Sequence, residues 1–190
     1  MIILVCGYTA AGKSYICEYL AKKLNYKFIH TSYILKQISN NQKINSSKTK
    51  MNKGWYESSN LDSVREKDLS IDKQLDKYLL NLVKKEKNLV LDSWTLPYLL
   101  KTKKNILRIW IKATRVKRIE RLSLRDKVSL KQASEIISKK DNYNKKHFKE
   151  LYGFSLGKDL SIFDIVFDTT KLSLKESEQG VYKKVLEKMN

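Results

Sequence analysis

Apolar positions in this chain fall into two regimes: short unbroken runs, and longer segments in which they recur every three or four residues. The run Ile2-Ile3-Leu4-Val5-Cys6 stops at Gly7 and predicts a strand buried on both faces. Ile16, Tyr19, Leu20 and Leu24 follow at helical spacing and predict a helix from Lys13 to about Leu24. Lys27 to His30 predicts a second strand and Tyr33 to Ser39 a short helix, whereas Asn40 to Lys53 is polar, lacks any apolar period and reads as a mobile loop. Between Asp62 and Lys87 the spacing of Leu69, Ile71, Leu75, Leu79, Leu82 and Val83 predicts one long amphipathic helix. Asn88 to Asp92, Ile106 to Ile111 and Ile162 to Phe167 complete five strands. Further helices are expected over Thr114 to Arg125, from the capping box Ser129-Leu130-Lys131-Gln132 to about Tyr152 before Gly153, and over Leu174 to Met189. This alternation implies a doubly wound α/β fold, a five-stranded parallel sheet with helices on both faces, whose ligands bind beyond the carboxyl ends of the strands.

Length and composition narrow the picture. At 190 residues, 42% hydrophobic and 31% charged, the chain suits one domain over 1–190 with a core of its own, and disordered, collagen-like or disulfide-scaffold classes fit poorly. Cys6 and Cys17 lie in apolar segments without metal-ligand spacing, which points to a reducing compartment. The opening apolar run is too short for a signal peptide or a membrane span, so a cytoplasmic protein with no membrane partner is expected; the sequence does not encode the oligomeric state, for which a monomer is favoured. The formal charge of +19 calls for anionic partners or a solvated surface. Of the 39 basic residues 33 are Lys, dispersed through every segment, which favours a solvated surface over a nucleic-acid face. The six Arg behave differently: Arg65 stands alone, while Arg108, Arg115, Arg118, Arg121 and Arg125 crowd together.

The strongest chemical signal is Gly7-Tyr8-Thr9-Ala10-Ala11-Gly12-Lys13-Ser14, which satisfies G-x-x-x-x-G-K-[ST] between a predicted buried strand and a predicted helix. Phosphate oxygens need several N–H donors converging on one point, and a glycine-bounded loop running into a helix N-terminus supplies them. Lys13 would reach the terminal phosphates of a nucleoside triphosphate such as ATP, with Tyr15 closing the loop and the Ser14 hydroxyl a ligand for Mg2+. Asp92, at the end of the third strand, stands where a carboxylate holds the metal's water shell or orients Ser14.

On the helix after the fourth strand, Arg118, Arg121 and Arg125 fall within an arc of about 60° and Arg115 widens it to about 120°. The planar guanidinium matches phosphate oxygens bidentately, so an arginine comb in a Lys-rich chain suggests a geometric demand; Arg–Glu120 pairs on a solvated face are the plain alternative. Val116, Ile119 and Leu122 on the neighbouring face would pack this helix on the body.

With these features placed, the chain from Ile2 to about Thr170 resembles the archaeal-type cytidylate kinases, small P-loop nucleoside monophosphate kinases. Besides the phosphate loop, the matching stretches are Ile71-Asp72-Lys73-Gln74-Leu75-Asp76, Trp110-Ile111-Lys112-Ala113 followed by Arg118, Arg121 and Arg125, and Leu151-Tyr152-Gly153 leading to Ser161-Ile162-Phe163-Asp164. The resemblance implies phosphoryl transfer from ATP with Mg2+ to a nucleoside monophosphate, CMP or dCMP first. It also implies a lid over about 114–152 carrying catalytic Arg118, Arg121 and Arg125 beside Lys13, and an acceptor subdomain over about 31–87.

Departures gather on the acceptor side. Lys36 stands where such kinases usually carry a phosphate-gripping Arg, Ser93-Trp94 replaces a Gly-Arg pair, Lys140 and His147 stand where the lid region commonly carries Arg, and Tyr15 follows Ser14 where Thr is usual. Trp55 and Trp94 could stack a base or simply anchor local packing, and Asp72 and Asp76 could bind an exocyclic amino group or ribose or merely pair with Lys73 and Lys77 at the surface. His30 and His147 show no partner pattern for acid–base work. Two other readings stay open: a nucleic-acid-associated P-loop ATPase, and a kinase of another small phosphorylated acceptor.

Overall fold

The computed structural model describes residues 1–44, 58–100 and 104–189, with the side chains of residues 58–62 left aside. Five strands, β1 (Ile2–Cys6), β2 (Lys27–His30), β3 (Leu89–Asp92), β4 (Ile106–Lys112) and β5 (Ile165–Asp168), form one sheet in the order β2-β3-β1-β4-β5. Every pairing is parallel, with Val5 opposite Asp92 on one side of β1 and Cys6 opposite Trp110 on the other. The helices are α1 (Lys13–Leu24), α2 (Thr31–Ser39), α3 (Ser58–Lys67), α4 (Ser70–Lys85), α5 (Leu96–Leu99), α6 (Arg115–Asp126), α7 (Leu130–Tyr152) and α8 (Leu174–Met189).

Alternate residues of the central strands feed two separate cores, as period-2 geometry requires. Ile3, Val5, Ile109 and Ile111 pack against Ile16 and Leu20 of α1 and Val181 and Val185 of α8. Ile2, Leu4, Leu89 and Leu91 pack on the opposite face against Ile34, Ile71, Leu75 and Leu79 from α2 and α4. The connection leaving β1 runs toward the β2 edge, while the one leaving β3 crosses to β4. A crevice therefore opens at the carboxyl ends of β1 and β3.

Several boundaries differ from the sequence reading. The expected long helix is two: Asp68 accepts the Ser70 N–H at 2.8 Å, and this local side-chain bond interrupts the helical ladder between α3 and α4. The stretch around Pro97, for which no element was expected, forms the short helix α5, with Pro in its first turn where its missing N–H costs nothing. The second helix begins at Thr31, two residues early, and the last strand at Ile165, three residues late. The capping box is present, with Ser129 and Gln132 bonding each other's backbone groups, and Gly153 ends α7 at φ 77°. Val116 does not pack on the body but is 67% exposed, whereas Leu122, together with Ile119, packs on Ala133 and Ile137 of α7. Most of the expected polar loop, residues 45–53, and Trp55 lie outside the described residues. Among the described residues no helix is long and apolar enough to cross a membrane.

Candidate active site

Two glycines shape the phosphate loop, each for a stated reason. A Cβ on Gly7, at φ 150°, would lie 2.4 Å from the Ile111 carbonyl oxygen, so only glycine lets the loop leave β1 against β4. Gly12 caps α1 at φ 100°, a left-handed conformation that turns the first N–H groups of the helix into the crevice. Residues Ala10 to Tyr15 line a cleft of about 580 Å³. Gly7, Tyr8 and Thr9 do not line it; the Thr9 N–H is bonded to Asp141 at 3.1 Å and the Tyr8 hydroxyl to the Leu156 carbonyl at 3.1 Å.

Lys13 folds back on its own loop, donating to the carbonyls of Gly7 at 2.9 Å and Tyr8 at 3.0 Å. Burial pulls its ammonium below the usual lysine range, against the opposing pull of Cys6 and Asp92. The Ser14 hydroxyl donates to Asp92 Oδ2 at 3.3 Å, and Asp92 Oδ1 accepts the Thr31 N–H at 3.1 Å. Burial pushes the Asp92 carboxyl up, while His30, the Thr31 N–H, Lys13 and Ser14 hold it down. A hard oxygen pair facing the phosphate loop has the donor chemistry that Mg2+ prefers, so Ser14 and Asp92 fit the role expected of them.

The arginine comb is stitched to the loop rather than standing open. Arg118 is buried, donating to Asp141 at 2.6 Å and to the Thr9 carbonyl at 3.0 Å, and it does not line the cleft. Arg121 does line it and holds the Ala11 carbonyl at 3.2 Å and the Thr169 carbonyl at 2.7 Å. Arg125 also lines the cleft, paired with Asp126 at 2.7 Å, whereas Arg115 turns away to Ser134 and Ser138.

Across the cleft, Asp72 and Asp76 are buried, not at the surface, and neither pairs with Lys73 or Lys77. Asp72 takes a two-pronged bond from Arg65, at 2.8 and 2.9 Å, and a third contact from His147 at 2.9 Å. Burial raises the Asp72 carboxyl, but His147 and Arg65 together bring it below its ordinary value. Asp76 accepts from the hydroxyls of Thr95 and Tyr152, both at 2.5 Å, yet burial still pushes it up to about 6. Arg65 and His147, which the sequence reading set aside, thus both hold Asp72, and Arg65 lines the cleft itself. The signal for Arg65 was the one applied to the comb, an Arg kept in a Lys-rich chain. Lys36, on α2, does not line the cleft, and Trp94 lines it with its indole N–H on the Gly7 carbonyl at 2.8 Å.

The sequence profile of the cytidylate kinase-like family matches residues 2–171. The chain belongs to that family. The enzyme is therefore a phosphotransferase. A cytidylate kinase of Saccharolobus islandicus is 32% identical over 174 residues, covering 92% of this chain and 85% of the relative. Among solved structures, an uncharacterized protein from Eubacterium ventriosum superimposes with a TM-score of 0.68 at 14% identity, over 97% of this chain and 98% of that one. Shikimate kinase from Bacteroides thetaiotaomicron does so with a TM-score of 0.60 at 15% identity, over 98% of each. At those identities the likeness speaks for the fold of the enzyme alone.

Proposed function

We propose that the enzyme transfers the terminal phosphoryl group of ATP to a nucleoside monophosphate, with CMP or dCMP as acceptor. The observation that carries this reading is the continuity of the cleft: one hollow runs from Ala10–Tyr15 and Arg121 to Asp72, Asp76 and Thr95, with Lys13, Ser14 and Asp92 between its halves. Such a hollow lets donor and acceptor meet in line, and positioning with charge neutralisation is what this chemistry requires.

On the donor side, Leu124, Leu172 and Leu174 offer apolar walls for a base, with Lys117 and Arg121 toward the phosphates. Lys13 exchanges two carbonyl partners for phosphate oxygens, a charge-assisted and stronger bond. Ser14 and Asp92 would hold Mg2+, which would neutralise phosphate charge. Arg121 and Arg125 stand where charge on the migrating group would develop, on a lid spanning about 114–152. Arg118 supports the loop through Asp141 in the same lid. On the acceptor side, about 31–87, the Asp72 and Asp76 carboxylates suit the exocyclic amino group and ribose hydroxyls, and the neighbouring Arg65 suits an anion.

The test is ADP release across all ribo- and deoxyribonucleoside monophosphates with ATP and Mg2+. CMP or dCMP should lead by at least tenfold in kcat/KM, about the discrimination a few polar contacts give. Release of ADP with no monophosphate, stimulated instead by an oligonucleotide at physiological salt, would replace this reading with the ATPase one.

A further inference from the structure

Trp94 lines the cleft just beyond the end of β3, and its surroundings give it a different task from stacking a base. Its indole N–H donates to the Gly7 carbonyl at 2.8 Å, the first carbonyl of the phosphate loop. The same carbonyl accepts from Lys13 at 2.9 Å, so both of its lone pairs are used. The Lys13 ammonium also sits over the Trp94 ring, 5.3 Å from its centre. The Cys6 thiol donates to the Trp94 backbone carbonyl, and the Phe148 ring lies tilted beside the indole, 6.2 Å between ring centres. An indole bonded through its N–H to the loop and met by the Lys13 ammonium is already engaged with the phosphate loop.

We infer that Trp94 is a positioning residue for the phosphate loop and for Lys13, acting on the donor rather than on the acceptor. The inference rests on the donor half of the proposed function. Its N–H pins the loop where it leaves β1, and its ring attracts the half-buried ammonium without a counter-charge. The absence of a formal charge matters. A carboxylate in that place would compete with the incoming triphosphate for Lys13, whereas a ring face keeps the ammonium at the mouth and releases it at little cost. The contact is also undirected, so the ammonium can shift toward phosphate oxygens while staying over the ring.

Binding of ATP with Mg2+ is measured by calorimetry for the wild type, Trp94→Phe and Trp94→Leu, alongside the KM of each substrate, the melting temperature and indole emission. Trp94→Leu should weaken ATP binding about tenfold, the combined worth of one hydrogen bond and one cation–ring contact, with acceptor KM within twofold. Trp94→Phe keeps a ring but no N–H and should lose about threefold. In a Lys13→Ala background the Phe and Leu variants should differ from their parent by less than in the wild type, since the ring contact is already gone. ATP should change the indole emission of the wild type by more than that of Trp94→Phe, in which Trp55 and Trp110 still emit, a readout that stands even if the Leu variant fails to fold. A rise in acceptor KM at constant ATP affinity would overturn the inference in favour of base stacking. A lower melting temperature with both affinities intact would overturn it in favour of packing alone. A wild type that binds no ATP would overturn the donor-site reading itself, and this inference with it.

Discussion

Arg118 and Asp141 meet at 2.6 Å in a buried ion pair, and between them they hold both backbone groups of Thr9, the carbonyl at 3.0 Å and the N–H at 3.1 Å. Helices α6 and α7 are thereby tied to the phosphate loop after β1 through one residue. Removing one member of such a pair leaves a desolvated charge behind. Arg118→Ala should cost about 3–5 kcal/mol of stability, while the Arg118→Ala, Asp141→Ala double variant should lose less than the sum of the single changes. Chemical denaturation of the four proteins checks this; additive losses would mean that the pair is not coupled.

Lys13, Arg121 and Arg125 should respond differently, because they border the cleft. Lys13→Ala should reduce turnover by about 10²-fold or more with little change in melting, since a desolvated ammonium contributes nothing to the core. At least one of Arg121→Lys and Arg125→Lys should lower kcat by roughly 10²-fold with ATP KM nearly constant, the signature of contact made only in the transition state. Turnover above half of wild type in all three variants would remove them from the chemistry.

Arg65, not Lys36, should govern the acceptor. Its guanidinium is fixed by Asp72 and lies over the rings of Tyr143 and Phe148, at 5.1 and 5.9 Å. Arg65→Ala should raise acceptor KM more than tenfold and Arg65→Lys should not restore it, because an ammonium cannot reproduce the fork. Lys36→Ala should stay within about twofold, as a partly exposed lysine outside the cleft does. The reverse order in steady-state kinetics would move the acceptor's charged end toward α2.

Asp76 should impose a pH dependence. Burial raises its carboxyl from the ordinary 3.8 to about 6, so the folded chain holds that proton more tightly than the unfolded one. The associated stability is complete below about pH 4 and is lost as pH rises through about 6, a slope that Asp76→Asn should remove from the stability profile. Acceptor binding should run the other way: the carboxylate form accepts hydrogen bonds, so acceptor KM should fall as pH rises through about 6. A KM that is flat from pH 5 to 7.5 would take Asp76 out of acceptor recognition.

What could be read from the chain alone follows from the range of the interactions. The phosphate loop, the capping box of α7 and the glycine that ends it are local, each set within eight residues, and their spacing is their geometry. The pairing of Asp72 with His147 spans 75 positions and that of Trp94 with Gly7 spans 87. No periodicity encodes such partners, which meet only because α4 is brought against α7 and the segment after β3 against the loop after β1. The arginine comb shows the middle case. Its arc was legible from helical geometry, but which teeth face the cleft depends on how α6 rolls against α7, and burial of Leu122 turns Arg118 inward.

Asp92 has a further consequence through its two oxygens. Oδ2 holds Ser14 at the start of α1, and Oδ1 holds the N–H of Thr31 at the start of α2. One carboxylate thus joins the starts of two helices that both border the cleft. A cation that drew on Oδ2 would weaken the bond from Oδ1 to the Thr31 N–H, so under the proposed function binding of the two nucleotides should be coupled. Linkage then requires symmetry: whatever factor the bound nucleoside triphosphate with its Mg2+ applies to acceptor affinity, the acceptor must return to the triphosphate. The binary and ternary dissociation constants should therefore reveal synergy or antagonism of equal size in both orders of addition, and Thr31→Pro, which deletes the N–H, should abolish it.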